Sequence, residues 1–274
     1  MSFADPTWIA FGTWPLTGDV LARAIADALA AGYRHFDTAQ MYANEADTGA
    51  ALRAALRAAD LPRDALHIAT KVHPENYASD RFLASVEASV AAIGQGPVDL
   101  LLLHWPPRDS AIEPPLKLLA ETQRAGLARA IGISNFTAEM MHRARDTVDL
   151  PILTNQVEFH PLLDQRRLLA AAEETGIPLS AHCPLARGAA LGKATIVEIA
   201  AEAGATPAQT VLAWTLSKGV SPVTSSTRAA NLAANLGAAA VALTPAQIAR
   251  IDALGAEGLR CVDAARSPWA PDWD

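Results

Sequence analysis

Residues 98–105 read VDLLLLHW: an apolar opening with one aspartate, four leucines in a row, then histidine and tryptophan. Four consecutive leucines leave no polar face, so a strand here must be covered on both sides. That is the condition of a parallel sheet, whose crossover connections lay helices over its faces. The run also stops on a polar residue, His104, where such a strand should open onto solvent or a ligand.

Working outward, the same unit recurs. Strands are expected at 8–12, 34–38, 67–72, 98–105, 128–135, 152–159, 178–184 and 220–225. Helices are expected at 19–31, 46–58, 81–93, 115–125, 138–147, 165–175, 194–203, 207–217, 228–237 and 245–254, with a tail at 257–274. Eight strands, each followed by helix, imply right-handed crossovers and closure into an α/β (β/α)8 TIM barrel. No linker or composition shift divides the chain, so residues 1–274 are expected to form a single domain with the C-terminal loop over the active site. An open doubly wound sheet would want a glycine-rich turn leaving a strand. Gly94-Gln95-Gly96 instead follows a helix and precedes a strand, and there is no Walker-type loop.

Composition narrows the function. The chain has 274 residues, 51% of them hydrophobic, enough for a large core. A net charge of −7 argues against nucleic acid or an anionic membrane as partner. Cys183 and Cys261 make no disulfide framework, MSFADPTW carries no secretory signal, and no apolar stretch is long enough to span a bilayer. A cytoplasmic location follows as the expectation. Asn135-Phe136-Thr137 fits a glycosylation pattern that has no meaning without secretion.

Chemistry in a barrel gathers at the C-terminal ends of its strands. Read in order, those ends carry Trp14, Asp37, Lys71, His104, Ser134-Asn135, Gln156, His182 and Ser225-Ser226. Residues 32–45, GYRHFDTAQMYANE, place Asp37 at a strand end and Tyr42 five positions later. Taken singly, Tyr42 could be packing, Asp37 a helix cap, Lys71 a salt bridge to Asp37 and His104 a core histidine. Together they suit proton donation to a carbonyl oxygen. A free phenol titrates near pH 10, and an adjacent ammonium, held charged by Asp37, is expected to lower that value. His104 would orient the carbonyl. No side chain supplies hydride, so a nicotinamide cofactor is required.

At this point the chain resembles the aldo-keto reductases. The likeness runs through Gly12-Thr13-Trp14, FDTAQMYANE, Thr70-Lys71, LLLLHWP, GISNF, NQVEFHP, the Pro184-Leu185 turn and SSTRAANLAANL. Within that family it is most similar in character to the bacterial 2,5-diketo-D-gluconate reductases of the B type. The resemblance implies reduction of small aldehydes and ketones (2,5-diketo-D-gluconate, methylglyoxal or aromatic aldehydes) with NADPH, NADH being possible, by a protein that is commonly a monomer. It implies Tyr42 as general acid, tuned by Lys71 and Asp37, with His104 orienting the substrate. It assigns Thr13, Ser134, Asn135, Gln156, His182, Leu185, Ser225, Ser226, Thr227, Arg228 and Asn235 to the cofactor, and Trp14, His73, Trp105 and Trp269 to the substrate. Four positions depart from the family pattern: His182 replaces an aromatic that stacks on the nicotinamide, His73 replaces a pocket tryptophan, and Ser225 and Asn231 replace cations at the 2′-phosphate, leaving Arg228.

Two other classes stand as alternatives. A metal-dependent hydrolase built on His73, His104, His160 and His182 would want paired ligands on one strand, which are lacking, so no metal is expected. A nicotinamide-binding sensor or structural subunit on the same fold is the other alternative.

Overall fold

The computed structural model describes residues 8–273; the stretch 1–7, read above for a secretory signal, lies outside the described residues. Eight strands run β1 (Ala10–Gly12), β2 (His35–Asp37), β3 (His67–Val72), β4 (Leu100–Leu103), β5 (Ile131–Ser134), β6 (Ile152–Glu158), β7 (Leu179–His182) and β8 (Ser221–Thr224). Each pairs in parallel with the next, and β8 returns to β1, so the sheet closes as a barrel. The helices are α1 (Gly18–Ala31), α2 (Glu45–Ala58), α3 (Phe82–Ile93), α4 (Glu113–Arg124), α5 (Ala138–Thr147), α6 (Arg166–Thr175), α7 (Ala194–Glu202), α8 (Pro207–Ser217), α9 (Ala229–Leu236) and α10 (Pro245–Asp252). The expected (β/α)8 architecture is the observed one.

The four leucines of β4 show why the run had to be continuous. Leu101 and Leu103 join the large core between strands and helices. Leu100 and Leu102 face the other way and, with Ala69 of β3, form the small apolar plug inside the barrel. Alternate side chains on a strand point to opposite faces, so both faces here are dry. The helix layer is tightly set. A Cβ built at Gly49 of α2 would sit 2.0 Å from the Ile93 carbonyl oxygen, so only glycine permits the approach of α2 to the end of α3.

Element ends are shorter than the apolar patterns suggest, for local reasons. Val98 pairs with Ala128 only through an isolated bridge, which starts β4 two residues late. The β5–β6 register shifts between Ile131 and Ile133, and Asn135 turns into the left-handed region at φ 63°, which ends β5. Gly32, with φ 112°, caps α1 and sends its N–H back to Ala28 and Leu29. The tail after α10 folds back over the C-terminal mouth of the barrel, where Ser267 and Trp269 line the cleft.

Candidate active site

The strand register sets the site. Gly12 pairs with Asp37 and Asp37 with Ala69, while Lys71 pairs with Leu102, so Asp37 and Lys71 reach the same level at the top of the barrel. Lys71 is 1% exposed, and its ammonium donates to Asp37 Oδ1 at 2.5 Å and to the Thr38 carbonyl at 3.0 Å. A third donor direction reaches Tyr42 Oη at 3.4 Å, a long contact. The other Asp37 oxygen accepts from Gln156 Nε2 at 2.9 Å. The buried charge is therefore paired, as burial of an ammonium demands.

Tyr42 ends a short 3₁₀ turn, Gln40–Tyr42, held in place from both sides. Gln40 accepts from the His73 and Asn76 nitrogens at 2.8 and 2.9 Å and donates to Ser89 at 3.0 Å. Asn44, buried at the start of α2, accepts from Thr38 Oγ1 at 2.8 Å and donates to the Leu16 carbonyl at 2.9 Å. The loop bearing Trp14 is thus tied to the end of β2. The Tyr42 ring meets His104 edge-on at a centroid distance of 5.5 Å, and both residues line a cavity of about 710 Å³. That volume suits a small ligand together with part of a cofactor.

The electrostatics correct one expectation. Burial raises the Tyr42 phenol above its ordinary value, and the opposing pull of Lys71 does not overcome it. Lys71 in turn stays high: burial pushes it down, but Asp37 and Tyr42 more than restore it. A cation beside a phenol lowers its pKa and removal of the surrounding water raises it, and here the second effect is the larger. The phenol is consequently a held proton rather than a pre-formed phenolate. Burial and the charge of Lys71 drive His104 well below the usual histidine value, so its imidazole is neutral. Its Nδ1 is buried with no hydrogen-bond partner among the described residues.

The structure brings Trp14, His73, Trp105, Ser134, Asn135, Gln156, His182, Leu185, Ser225 and Trp269 to the wall of the same cavity. Trp269 meets the His73 ring at 6.1 Å from across the mouth. Thr13 is fully buried beneath this wall. Ser226, Thr227 and Arg228 form the turn into α9, beyond the cavity's lining; Asn235 is buried behind it, 3.4 Å from Thr224 Oγ1. Cys183, Arg187 and Arg266 also line the cavity and were not anticipated, because the turn after β7 and the tail carry no apolar period to place them.

Could this cleft hold a nicotinamide cofactor? Gln156 Oε1 accepts no hydrogen bond from the described residues and Asn135 Oδ1 accepts one, from His182 Nε2 at 2.8 Å. Asn135 and Gln156 are neighbours, the Asn135 N–H donating to the Gln156 carbonyl at 2.9 Å, and amide oxygens on both suit the NH2 of a carboxamide. The Asn135 amide donates to the His104 carbonyl and to Ser134 Oγ, which fixes its orientation. The first amides of α9, next to Arg228, form a helix N-terminus suited to a phosphate. The residues present fit the group.

Comparison with known proteins points the same way. Residues 8–256 match the model of the aldo/keto reductase family. Methylglyoxal reductase DkgB of Escherichia coli O157:H7 is 40% identical over 268 residues, covering 96% of this chain and 97% of that protein. The uncharacterized oxidoreductase YtbE of Bacillus subtilis is 32% identical, covering 92% and 90%. Among solved structures, a putative 2,5-diketo-D-gluconic acid reductase B superposes with a TM-score of 0.91 at 37% identity, over 97% of this chain and 93% of that one. A Bombyx mori aldo-keto reductase in complex with NADP gives 0.87 at 25% identity, over 96% and 94%.

Proposed function

The chain belongs to the aldo/keto reductase family, and we propose that within it this protein reduces small aldehydes and ketones with NADPH, methylglyoxal and 2,5-diketo-D-gluconate being the leading substrates. The observation that carries the proposal is the Tyr42 hydroxyl, set 3.4 Å from a buried ammonium at the edge of a cavity that also receives His104. Hydride to the carbonyl carbon is what a reduced nicotinamide supplies when bound, and no side chain replaces it. The protein's part is the proton. As negative charge grows on the carbonyl oxygen, Tyr42 Oη gives up its hydrogen to it and becomes phenolate. Lys71 stabilises that phenolate, and Asp37 keeps Lys71 charged and aimed. His104, being neutral, offers an N–H to the carbonyl without adding a cation that would compete for the proton. The raised phenol keeps the donor loaded at neutral pH.

Ser134, Asn135, Gln156 and His182 would hold the nicotinamide end, with Thr13, Leu185 and the turn Ser225, Ser226, Thr227 and Arg228 along the phosphates and Asn235 near the adenine. Trp14, His73, Trp105 and Trp269 would wall the carbonyl substrate. We further propose one domain over residues 1–274, a monomer, and a cytoplasmic site of action; among the described residues no helix is long and apolar enough to cross a membrane. Initial rates with methylglyoxal and NADPH, without added metal, test the reading. Steady oxidation of NADPH supports it, whereas tight cofactor binding with no turnover would make this chain a sensor or structural subunit. Arg228→Ala should weaken NADPH about tenfold, while NADH changes by less than about twofold, as loss of a charge-assisted phosphate contact predicts. Equal effects on both would remove Arg228 from the phosphate.

A further inference from the structure

We propose that Glu158, at the end of β6, is the positioning residue that anchors the C-terminal tail as the roof of the cleft, and thereby sets affinity for the carbonyl substrate without touching it; this rests on the reductase reading above. The residue is 1% exposed. Its Oε1 accepts the Cys261 N–H at 2.5 Å and lies 2.9 Å from His160 Nε2, and its Oε2 accepts the Val262 N–H at 3.0 Å. The Arg260 guanidinium stands 4.0 Å away. Two successive backbone amides, more than a hundred positions distant in sequence, thus converge on one carboxylate. Charge-assisted bonds of this kind are about twice as strong as neutral ones. Burial pushes the Glu158 carboxyl up, but the donors from His160 and Cys261 outweigh it and bring it to about 2. The anchor is ionised across the working range.

What hangs from it is the roof. Arg266 Nη1 donates back to the Cys261 carbonyl at 2.5 Å, and the Arg266 and Ser267 amides return to the Asp263 carbonyl at 3.0 and 2.9 Å. This compact turn delivers Ser267 and Trp269 to the cavity wall. Beyond it the tail meets the barrel mouth through ring contacts: Arg108 over Trp269 at 4.3 Å, and Trp273 against Trp105 at 6.4 Å and under Arg260 at 4.0 Å. The inner attachment is buried and ionic, the outer ones partly exposed and soft. A roof attached in this way pivots at Glu158. The attachment also stands beside the cofactor end of the cleft, since Phe159 donates its N–H to the His182 carbonyl at 3.3 Å and Gln156 lies two residues back on β6.

Glu158, His160 and Cys261 also place ligand atoms within 4.8 Å of one another, which would suit a metal by donor type. The chemistry favours the anchor instead. N–H groups already point at both carboxylate oxygens. The Cys261 thiol is pushed up to about 12 by burial and by Glu158, whereas a metal needs the thiolate.

Glu158→Gln keeps the shape but turns an NH2 toward amides that can only donate. The KM for methylglyoxal should rise about tenfold or more with kcat within about threefold, because the roof contributes to holding the substrate rather than to the proton transfer. NADPH affinity by fluorescence titration should stay within about twofold, and trypsin should cut after Arg260 or Arg266 about tenfold faster than in the wild type. An unchanged KM together with unchanged cleavage overturns the proposal. Should the variant fail to fold, hydrogen exchange on the wild-type protein decides. The Cys261 and Val262 amides should exchange at least about tenfold more slowly than those of Trp269 and Trp273, and equal rates overturn it. A wild-type protein with no turnover would sink the reductase reading alone, since cleavage and exchange still judge the anchor.

Discussion

The two ends of the barrel each bury a carboxylate against a cation, yet they do opposite things with it. At the N-terminal end, Asp99 is 2% exposed and accepts from Arg63 at 2.7 Å and from the Ile68 amide at 2.8 Å, with Arg129 at 3.3 Å. The ammonium–carboxylate pair at the other end, Lys71 with Asp37, is as deeply buried but keeps one donor direction for Tyr42, at the wall of a large cavity. The lower cluster closes on itself and fastens the loop before β4 to the start of β3. The upper one is also satisfied within the protein, but its third donor direction goes to Tyr42, a residue that lines the cavity. A buried ion pair by itself therefore says little about function; what matters is whether one of its partners stands at a space a ligand can enter.

The comparison can be broken from the top first. Lys71→Met removes the ammonium paired with Asp37 and should lower unfolding stability by about 3–5 kcal/mol, with turnover falling about a hundredfold or more. Adding Asp37→Asn should recover much of the stability and none of the turnover. Recovery of both, followed by urea unfolding and initial rates, would reduce the upper pair to a structural one. At the bottom, Asp99→Asn should cost about 1–3 kcal/mol and leave kcat/KM unchanged. A loss of activity there, without a loss of stability, would erase the distinction between the two ends.

Acid should expose a smaller difference. The His104 and His182 side chains hold values below that of an unfolded histidine, His182 at about 4, chiefly through burial. Between pH 6.5 and 4 the unfolded chain binds protons that the folded upper rim refuses, so stability is present above 6.5 and declines as pH falls. The loss from pH 7 to 5 should be about 2 kcal/mol from His182 alone, with a further loss from His104, and His182→Gln should flatten the first part. A melting temperature that is level across this range, or equally steep in the variant, would show that the rim does not exclude these protons.

The barrel was legible because VDLLLLHW is apolar on both faces, and the observed split of its leucines between the inner plug and the outer core is the same fact seen in three dimensions. Strand ends were less so, since the left-handed turn at Asn135 and the lone bridge at Val98 depend on neighbours from other units. The meeting of Asp37 and Lys71 followed from their places at strand ends. The direction in which Tyr42 is shifted did not, because it turns on how much water the surrounding loops exclude. Glu158 escaped notice for a similar reason: inside NQVEFHP it looks like one more strand residue, and its partners Cys261 and Val262 lie in a tail with no periodic pattern. Residues whose role is set by a distant, aperiodic segment leave no trace in local spacing.

The central claim is that one buried ammonium supports one phenol as the proton donor. Its most direct test is Tyr42→Phe, with methylglyoxal turnover and NADPH affinity measured on the same preparation. Turnover should fall about a hundredfold or more while cofactor affinity stays within about twofold, the signature of a lost acid in an intact site. Near-native turnover in this variant would contradict the account.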